Sequence, residues 1–322
     1  MTVRILSFLA AATLFAACTS EKPAGEQQAT EGSQPAAAAS KTVTVKGSDT
    51  LVILAQRLAE RLMAENQGMT VQVTGGGSGT GIAALINGTT DIATASRAMK
   101  DAEKKQVEQK RGAPAIEHAV ALDGLAVYVN EKNPIQAFSL EQLEGIYTGQ
   151  IKNWKELGGA DAPILLYGRE NNSGTYAYFK EEVLADEDFA AETQSLPGTA
   201  AVVNAVSKDP NAIGYGGIAY GSGIRAVPVS KETGGEAVEP SLENVTSGKY
   251  PISRSLFMYT AGEPTGAVKA YIDYAKSDAG QKIASEVGYY PLPKKAAAAP
   301  APAAPAGTEN GQAGEKQAAP AK

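Results

Sequence analysis

Three segments of the chain carry the residue types that grip an anion without a metal. They are Gly47-Ser48-Asp49-Thr50, Gly75-Gly76-Gly77-Ser78-Gly79-Thr80-Gly81 and Arg169-Glu170-Asn171-Asn172-Ser173-Gly174-Thr175. Each follows a short strand-like run and precedes a helix-like pattern. A strand, a Gly/Ser/Thr turn and a helix start together present backbone N–H groups and hydroxyls at the positive end of a helix dipole. The glycines let the backbone approach closely and form concave N–H nests. One such loop usually only turns the chain. Three in one chain, two of them with an arginine nearby (Arg97 and Arg169), point to oxyanion binding.

Other chemistries fail on detail. A phosphate loop of the G-x-x-x-x-G-K-[ST] kind needs Lys and Ser/Thr where Ile82 and Ala83 stand. A G-x-G-x-x-G fingerprint started at Gly75 ends on Thr80, and started at Gly77 ends on Ile82. A G-x-S-x-G nucleophile elbow fails at Ser78, where Thr80 takes the last position, and at Ser173, where Asn171 takes the first. The chain has one His, His118, and one Cys, Cys18, so a Cys/His zinc site and an internal disulfide are excluded. His118 is the only histidine that could serve as a base, and beside an apolar strand it reads as a partly buried structural residue. No complete catalytic, metal or cofactor constellation is visible.

The elements that must position the three loops alternate between the two periods. Thr42–Lys46 alternates as a strand, and the spacing of Leu51, Leu54, Ala55, Leu58 and Leu62 predicts an amphipathic helix over Thr50–Asn66, with Ser48 or Asp49 as N-cap. Strands follow at Met69–Thr74, Asp91–Ala95 and Val120–Val129, with helices from the Gly-rich loop to about Asn87 and at Ala102–Lys110. In the second half, Ser139 and Gln142 form a capping box for a helix to Tyr147. Ile164–Tyr167, Ala212–Tyr215 and Ser253–Tyr259 read as strands, and helices are expected at Tyr176–Leu184, Thr199–Ser207 and Gly266–Lys276. This order predicts an α/β fold with mainly parallel sheets covered on both faces.

The 322 residues allow about two domains. Net charge is −6, which argues against nucleic acid as a partner. Residues 1–18 hold Arg4, an apolar run Ile5–Ala17 and then Cys18. That run is too short to span a bilayer as a helix and fits a secretory signal. Phe15-Ala16-Ala17-Cys18 resembles a bacterial lipobox, with Phe15 where Leu is the usual choice, so Cys18 is the expected lipidation site. Residues 19–41 contain no Leu, Ile, Val or aromatic residue and read as a tether, and the Ala/Pro-rich residues 296–322 read as a disordered tail.

The ordered set Gly47-Ser48-Asp49-Thr50-Leu51, the Gly-rich loop 75–81, Asp91–Arg97, Ala121–Asn130, Ile146–Trp154, the R-x-x-x-S-G-T of Arg169–Thr175 and Ile213–Gly216 resembles the periplasmic phosphate-binding proteins of bacterial phosphate ABC importers. The resemblance implies a two-lobed, type II periplasmic binding protein, with lobe I formed by 42–124 plus 251–295 and lobe II by 125–250. It implies inorganic phosphate as ligand, a membrane permease as partner, no cofactor, action as a monomer, and a lipid-anchored place on the periplasmic face of a bacterial membrane. It also implies the contacts: Thr50 through its hydroxyl and N–H, Leu51 through its N–H, Ser78, Arg169 through a charge-assisted pair, and Ser173, Gly174 and Thr175 at a helix start. Where some members of the family place a proton-accepting Asp, this chain has Ser96-Arg97. Arg97 is then expected to strengthen anion binding, or to pair with Asp101 on the surface. The carboxylate acceptor is expected at Asp123 or Asp49, with Asp123 preferred because it lies in an apolar strand. Another oxyanion (sulfate, molybdate, tungstate), or phosphate-ester hydrolysis at the same site, are the alternatives. Glu170 and Asp186–Asp188 read as solvated, and Trp154 as core.

Overall fold

A computed structural model describes residues 42–221 and 223–293. Cys18, the tether and the Ala/Pro-rich tail lie outside the described residues.

The chain begins with β1 (Thr42–Gly47), whose alternation buries Val43 and Val45. Next, α1 (Val52–Glu65) buries Leu54, Ala55, Leu58, Ala59 and Leu62, the face its spacing predicts. Its N-cap is Leu51 and has no side-chain cap bond, so neither Ser48 nor Asp49 caps it. β2 (Thr70–Thr74), α2 (Ser78–Asn87) and β3 (Ile92–Ala95) follow, and β1 pairs in parallel with both strands. After the exposed α3 (Asp101–Arg111) comes the long β4 (Ala115–Val129).

The chain then runs through β5 (Phe138–Ser139), α4 (Leu140–Tyr147), β6 (Leu165–Arg169), α5 (Gly174–Glu182), β7 (Gln194–Leu196), α6 (Gly198–Lys208) and β8 (Ala212–Gly217). Ser139 caps α4 in the expected box, accepting from Gln142 N–H while Gln142 Oε1 accepts from Ser139 N–H. β9 (Arg225–Val227), β10 (Val229–Ser230), α7 (Leu242–Thr246), β11 (Ser253–Ala261), α8 (Gly266–Lys276) and α9 (Asp278–Val287) complete the described chain.

One nine-stranded sheet runs β2-β1-β3-β11-β4-β8-β6-β7, with β9 also on β4, and β5 pairs with β10 apart from it. The flanks are parallel, but β11 lies antiparallel to β3 and β4, and β4 lies antiparallel to β8 and β9. The expectation of mainly parallel sheets is corrected at this centre. β4 changes partner along its length: Ala115–Gly124 pairs with β11, and Leu125–Val129 with β8 and β9. One apolar cluster on the β1 side gathers Val45, Leu58, Leu256, Met258 and Tyr271. Another gathers Leu125, Val127, Trp154, Phe179 and Tyr215, where the rings of Phe179 and Tyr215 stack at 3.9 Å. Trp154 is core, as expected, with its indole N–H on Asn211 O. No described helix is long and apolar enough to cross a membrane.

Candidate functional site

Four hydroxyls converge where the three loops meet. Thr50 stands after β1, Ser78 opens α2, Ser96 follows β3 and Thr175 lies in the first turn of α5. Thr50 Oγ1 is 3.0 Å from Thr175 Oγ1, which is 3.4 Å from Ser96 Oγ. Ser96 Oγ is 3.4 Å from Ser78 Oγ, and the Ser96 N–H donates to Ser78 Oγ at 3.1 Å. All four residues are no more than 1% exposed. Three come from the β1–β3 side and one from the β6–α5 side, so the cluster joins two packing units. Each hydroxyl can donate or accept. The set can therefore exchange its mutual bonds for bonds to an oxyanion.

The helix start at α5 is built by Ser173, its N-cap, whose Oγ accepts from the N–H groups of Thr175 and Tyr176. Gly174 sits against the opposite loops. A methyl placed on it would lie 2.3 Å from Ser78 Oγ and 2.8 Å from Ser96 Oγ, so only glycine permits the approach.

Two arginine–carboxylate pairs, one partly buried and one fully buried, flank the hydroxyls. Arg169 donates from Nη2 to Asp49 Oδ2 at 2.8 Å and from Nη1 to Thr199 Oγ1 at 2.9 Å, while its buried Nε has no hydrogen-bond partner among the described residues. Burial pulls its guanidinium below the ordinary value, against the attraction of Asp49. Asp49 Oδ1 accepts from Gly76 N–H at 2.8 Å. Asp49 thus ties the Gly-rich loop to Arg169 instead of capping α1.

The second pair is Asp123 with Arg254, a residue the sequence reading missed. Arg254 Nε and Nη2 donate to Asp123 Oδ2 at 2.9 and 2.8 Å, and Nη1 donates to Ser96 O at 3.0 Å. Asp123 Oδ1 accepts from Ile218 N–H at 3.0 Å. Burial pushes the Asp123 carboxyl up from its ordinary value, with Arg254 and the Ile218 N–H opposing. A methyl placed on Gly217 would lie 3.1 Å from Thr50 Cγ2 and 3.2 Å from Asp123 Oδ2, so both residues close on Gly217. Parity could have flagged Arg254. It shares an inward face of β11 with Leu256 and Met258, where an arginine requires a buried partner.

Two expected contacts are not brought into the cluster. Arg97 faces α3: its Nη1 and Nη2 donate to the two carboxylate oxygens of Glu103 at 2.8 Å each, and Nη1 also donates to Ala98 O. The partner is Glu103 and not Asp101, because Glu103 already reaches back to Lys100 N–H at the start of α3. The Leu51 N–H donates to Ser48 O at 3.0 Å within the turn. His118 shares a 3.1 Å hydrogen bond with Thr260 Oγ1 instead of a site hydroxyl, and burial lowers its pKa. A groove of about 410 Å³, lined by Gly79, Arg97, Lys100, Asn172, Ser173 and Glu181 among others, reaches the N-cap of α5 but is lined by none of the four hydroxyls. A larger one, about 490 Å³ between α1 and α9, contains none of these hydroxyls. No described group of three or more His, Cys, Asp or Glu could hold a metal ion.

The fold and the convergent donors define a solute-binding protein of the periplasmic type. A family model described as a PBP superfamily domain matches residues 32–279. The phosphate-binding protein PstS of Pseudomonas aeruginosa is 36% identical over 281 residues, covering 82% of this chain and 87% of the relative. PstS of Bacillus subtilis is 33% identical over 289 residues, covering 89% and 93%. Among solved structures, a Clostridium perfringens protein with bound phosphate, described as a phosphate ABC transporter substrate-binding protein, is 32% identical. It has a TM-score of 0.72, with 78% of this chain and all of that chain covered. An ABC-type phosphate transport receptor of Vibrio cholerae has a TM-score of 0.64 at 29% identity, covering 78% of this chain. The chain belongs to the PstS family of phosphate-binding proteins within this superfamily.

Proposed function

We propose that the protein captures inorganic phosphate between two lobes and hands it to the membrane permease of an ABC importer. The observation that carries this reading is the buried meeting of Thr50, Ser78, Ser96 and Thr175 beside Arg169. The relatives' names supply the ligand and the transport context. In this reading lobe I is 42–124 plus 251–295 and lobe II is 125–250. The change of partner along β4 at Gly124/Leu125 supports that boundary.

Phosphate takes the place of the hydroxyl-to-hydroxyl bonds. Thr50, Ser78 and Ser96 donate from lobe I. Ser173, Gly174 and Thr175 donate from lobe II with the dipole of α5 behind them. Arg169 adds a charge-assisted contact, for which its unpartnered Nε is available. Only the closed arrangement makes both sets of contacts, so phosphate favours closure. Asp123, which closes on Gly217 together with Thr50, is the acceptor for the proton that phosphate carries and sulfate lacks.

The reading is binding: the hydroxyls bond one another and backbone groups, and the relatives are named as phosphate-binding proteins. Lipid attachment at Cys18, action as a monomer and a place on the periplasmic face belong to the same proposal. They rest on the sequence resemblance. Calorimetry with phosphate, arsenate and sulfate tests the ligand. Tight binding of phosphate with weak binding of sulfate is expected, at micromolar affinity or better, about −8 kcal/mol. Sulfate binding as tight as phosphate would overturn it. Turnover of a chromogenic phosphate ester by purified protein would revive the hydrolase alternative.

A further inference from the structure

We propose that Asn172 is a latch that retains bound phosphate without touching it. The inference rests on the two-lobe reading above. Asn172 lies between β6 and α5, on the lobe II side of the seam, and all its cross-seam partners belong to the Gly-rich loop of lobe I. Its Nδ2 donates to Gly76 O at 3.0 Å and to Thr80 Oγ1 at 3.2 Å. Its own carbonyl accepts from Gly79 N–H at 2.9 Å. One side chain and its carbonyl thus engage three polar groups at the start of α2. None of them is a hydroxyl of the phosphate cluster.

The glycines of that loop fit this role. A methyl on Gly77 would lie 2.6 Å from Asn172 O, and one on Gly79 would lie 3.2 Å from it. The loop that reads as an anion nest is therefore also a socket for Asn172. A second bond crosses nearby, from Lys100 Nζ to Glu181 Oε1 at 2.8 Å, but both side chains are well exposed and the pair contributes little. These contacts favour the closed form whatever the ligand. A ligand that binds only the closed form has an apparent affinity scaled by the closed fraction. Asn172 raises that fraction and slows release.

The full-length protein tests this through three variants, with inorganic phosphate as the probe. Asn172→Ala is expected to weaken phosphate by about tenfold, the effect of one to two net hydrogen bonds on the closed fraction. The loss should appear mainly as faster dissociation in stopped-flow measurements, with the phosphate-to-sulfate ratio unchanged. Gly79→Ala should act in the same direction while its own lobe stays stable, since alanine suits a helix start and the three atoms nearest its methyl all belong to Asn172. Lys100→Ala should change affinity less than about twofold, and less still at high salt.

X-ray scattering of the phosphate-free protein is the second readout, and it does not depend on the ligand's identity. Asn172→Ala should be more extended than the wild type. Unchanged affinity together with unchanged scattering would overturn the latch. A selectivity ratio that shifts in step with affinity would overturn it in another way, by making Asn172 a ligand contact. Should the wild type bind no phosphate, the ligand reading fails alone, and the scattering comparison still decides for or against the latch.

Discussion

Gly174→Ala separates binding from folding more cleanly than any other single change. The added methyl would stand 2.3 Å from Ser78 Oγ, 2.8 Å from Ser78 Cβ and 2.8 Å from Ser96 Oγ. These atoms belong to short side chains that are already bonded to each other and buried, so they have little room to give way. Forcing a methyl into such packing costs about 1–3 kcal/mol. In the proposed two-lobe arrangement all three clashing atoms belong to lobe I, so the cost would fall on the closed form alone. In the open form the residue is in the first turn of α5, where alanine is the better helix former by up to about 1 kcal/mol. Phosphate affinity should therefore fall by about ten- to a hundredfold, at 1.4 kcal/mol per decade, while thermal stability without ligand stays level or rises slightly. Calorimetry and a thermal melt on the same preparation measure both. A dissociation constant within about twofold of wild type would refute the account of the cluster as the closing surface. A large loss of stability accompanying the loss of affinity would show that Gly174 serves the fold.

Other consequences are as direct. Asp123→Asn should narrow the gap between phosphate and sulfate. Asp49→Asn, which keeps an acceptor for Gly76 N–H, should leave that gap in place, and competition calorimetry distinguishes them. The Glu103 carboxyl is pushed up by burial, but hydrogen bonds from Arg97 and Lys100 N–H more than offset this and hold it below its ordinary 4.5. Its stabilising contribution is thus complete above that value and is lost as pH falls through the lower folded value. Glu103→Gln should cost about 1–3 kcal/mol at pH 7 and progressively less in acid, read by urea unfolding across pH. His118, the only histidine, should titrate below 6.5, because burial disfavours its charged form; an NMR midpoint at or above that value would contradict its placement on β4.

What could be read from the sequence was local. The alternation of β1, the face of α1 and the three Gly/Ser/Thr loops are written in neighbouring residues, and they led to Thr50, Ser78, Arg169 and Ser173–Thr175. The misreadings concern partners that the chain brings together from afar. Asp49 looks like a cap beside α1, yet its carboxylate is claimed by Arg169, 120 residues away. Arg254 and Asp123 are 131 residues apart and meet only because β11 returns against β4. That same return makes the centre of the sheet antiparallel. It also extends β4 back to Ala115, through Glu117 and His118, where the apolar signal fades. Arg97 is the exception, because Glu103 is only six residues on. Its pairing was legible from the third helical position of α3, where Glu103 can reach back to Lys100 N–H, whereas the nearer Asp101 drew the reading.

The arginines near the cluster share an arrangement that bears on how an acidic protein takes up an anion. Arg169 is matched to Asp49, Arg254 to Asp123 and Arg97 to Glu103. The carboxylates largely cancel the formal positive charge around the site. What faces the cluster is a set of hydroxyls, backbone N–H groups and the start of α5, all dipolar and fixed in place by the fold. Dipoles of this kind reward the right geometry without building a deep electrostatic well, so they can hold phosphate and still release it. Arg169 departs from this balance. Its buried Nε has no hydrogen-bond partner among the described residues, which leaves one donor of the guanidinium open. The pairing of its Nη2 with Asp49 fixes the plane of the guanidinium, and Asp49 in turn is fixed by Gly76 N–H. The Gly-rich loop therefore sets the orientation of Arg169 through Asp49, and under the proposed two-lobe arrangement closure would complete the geometry of the charged donor.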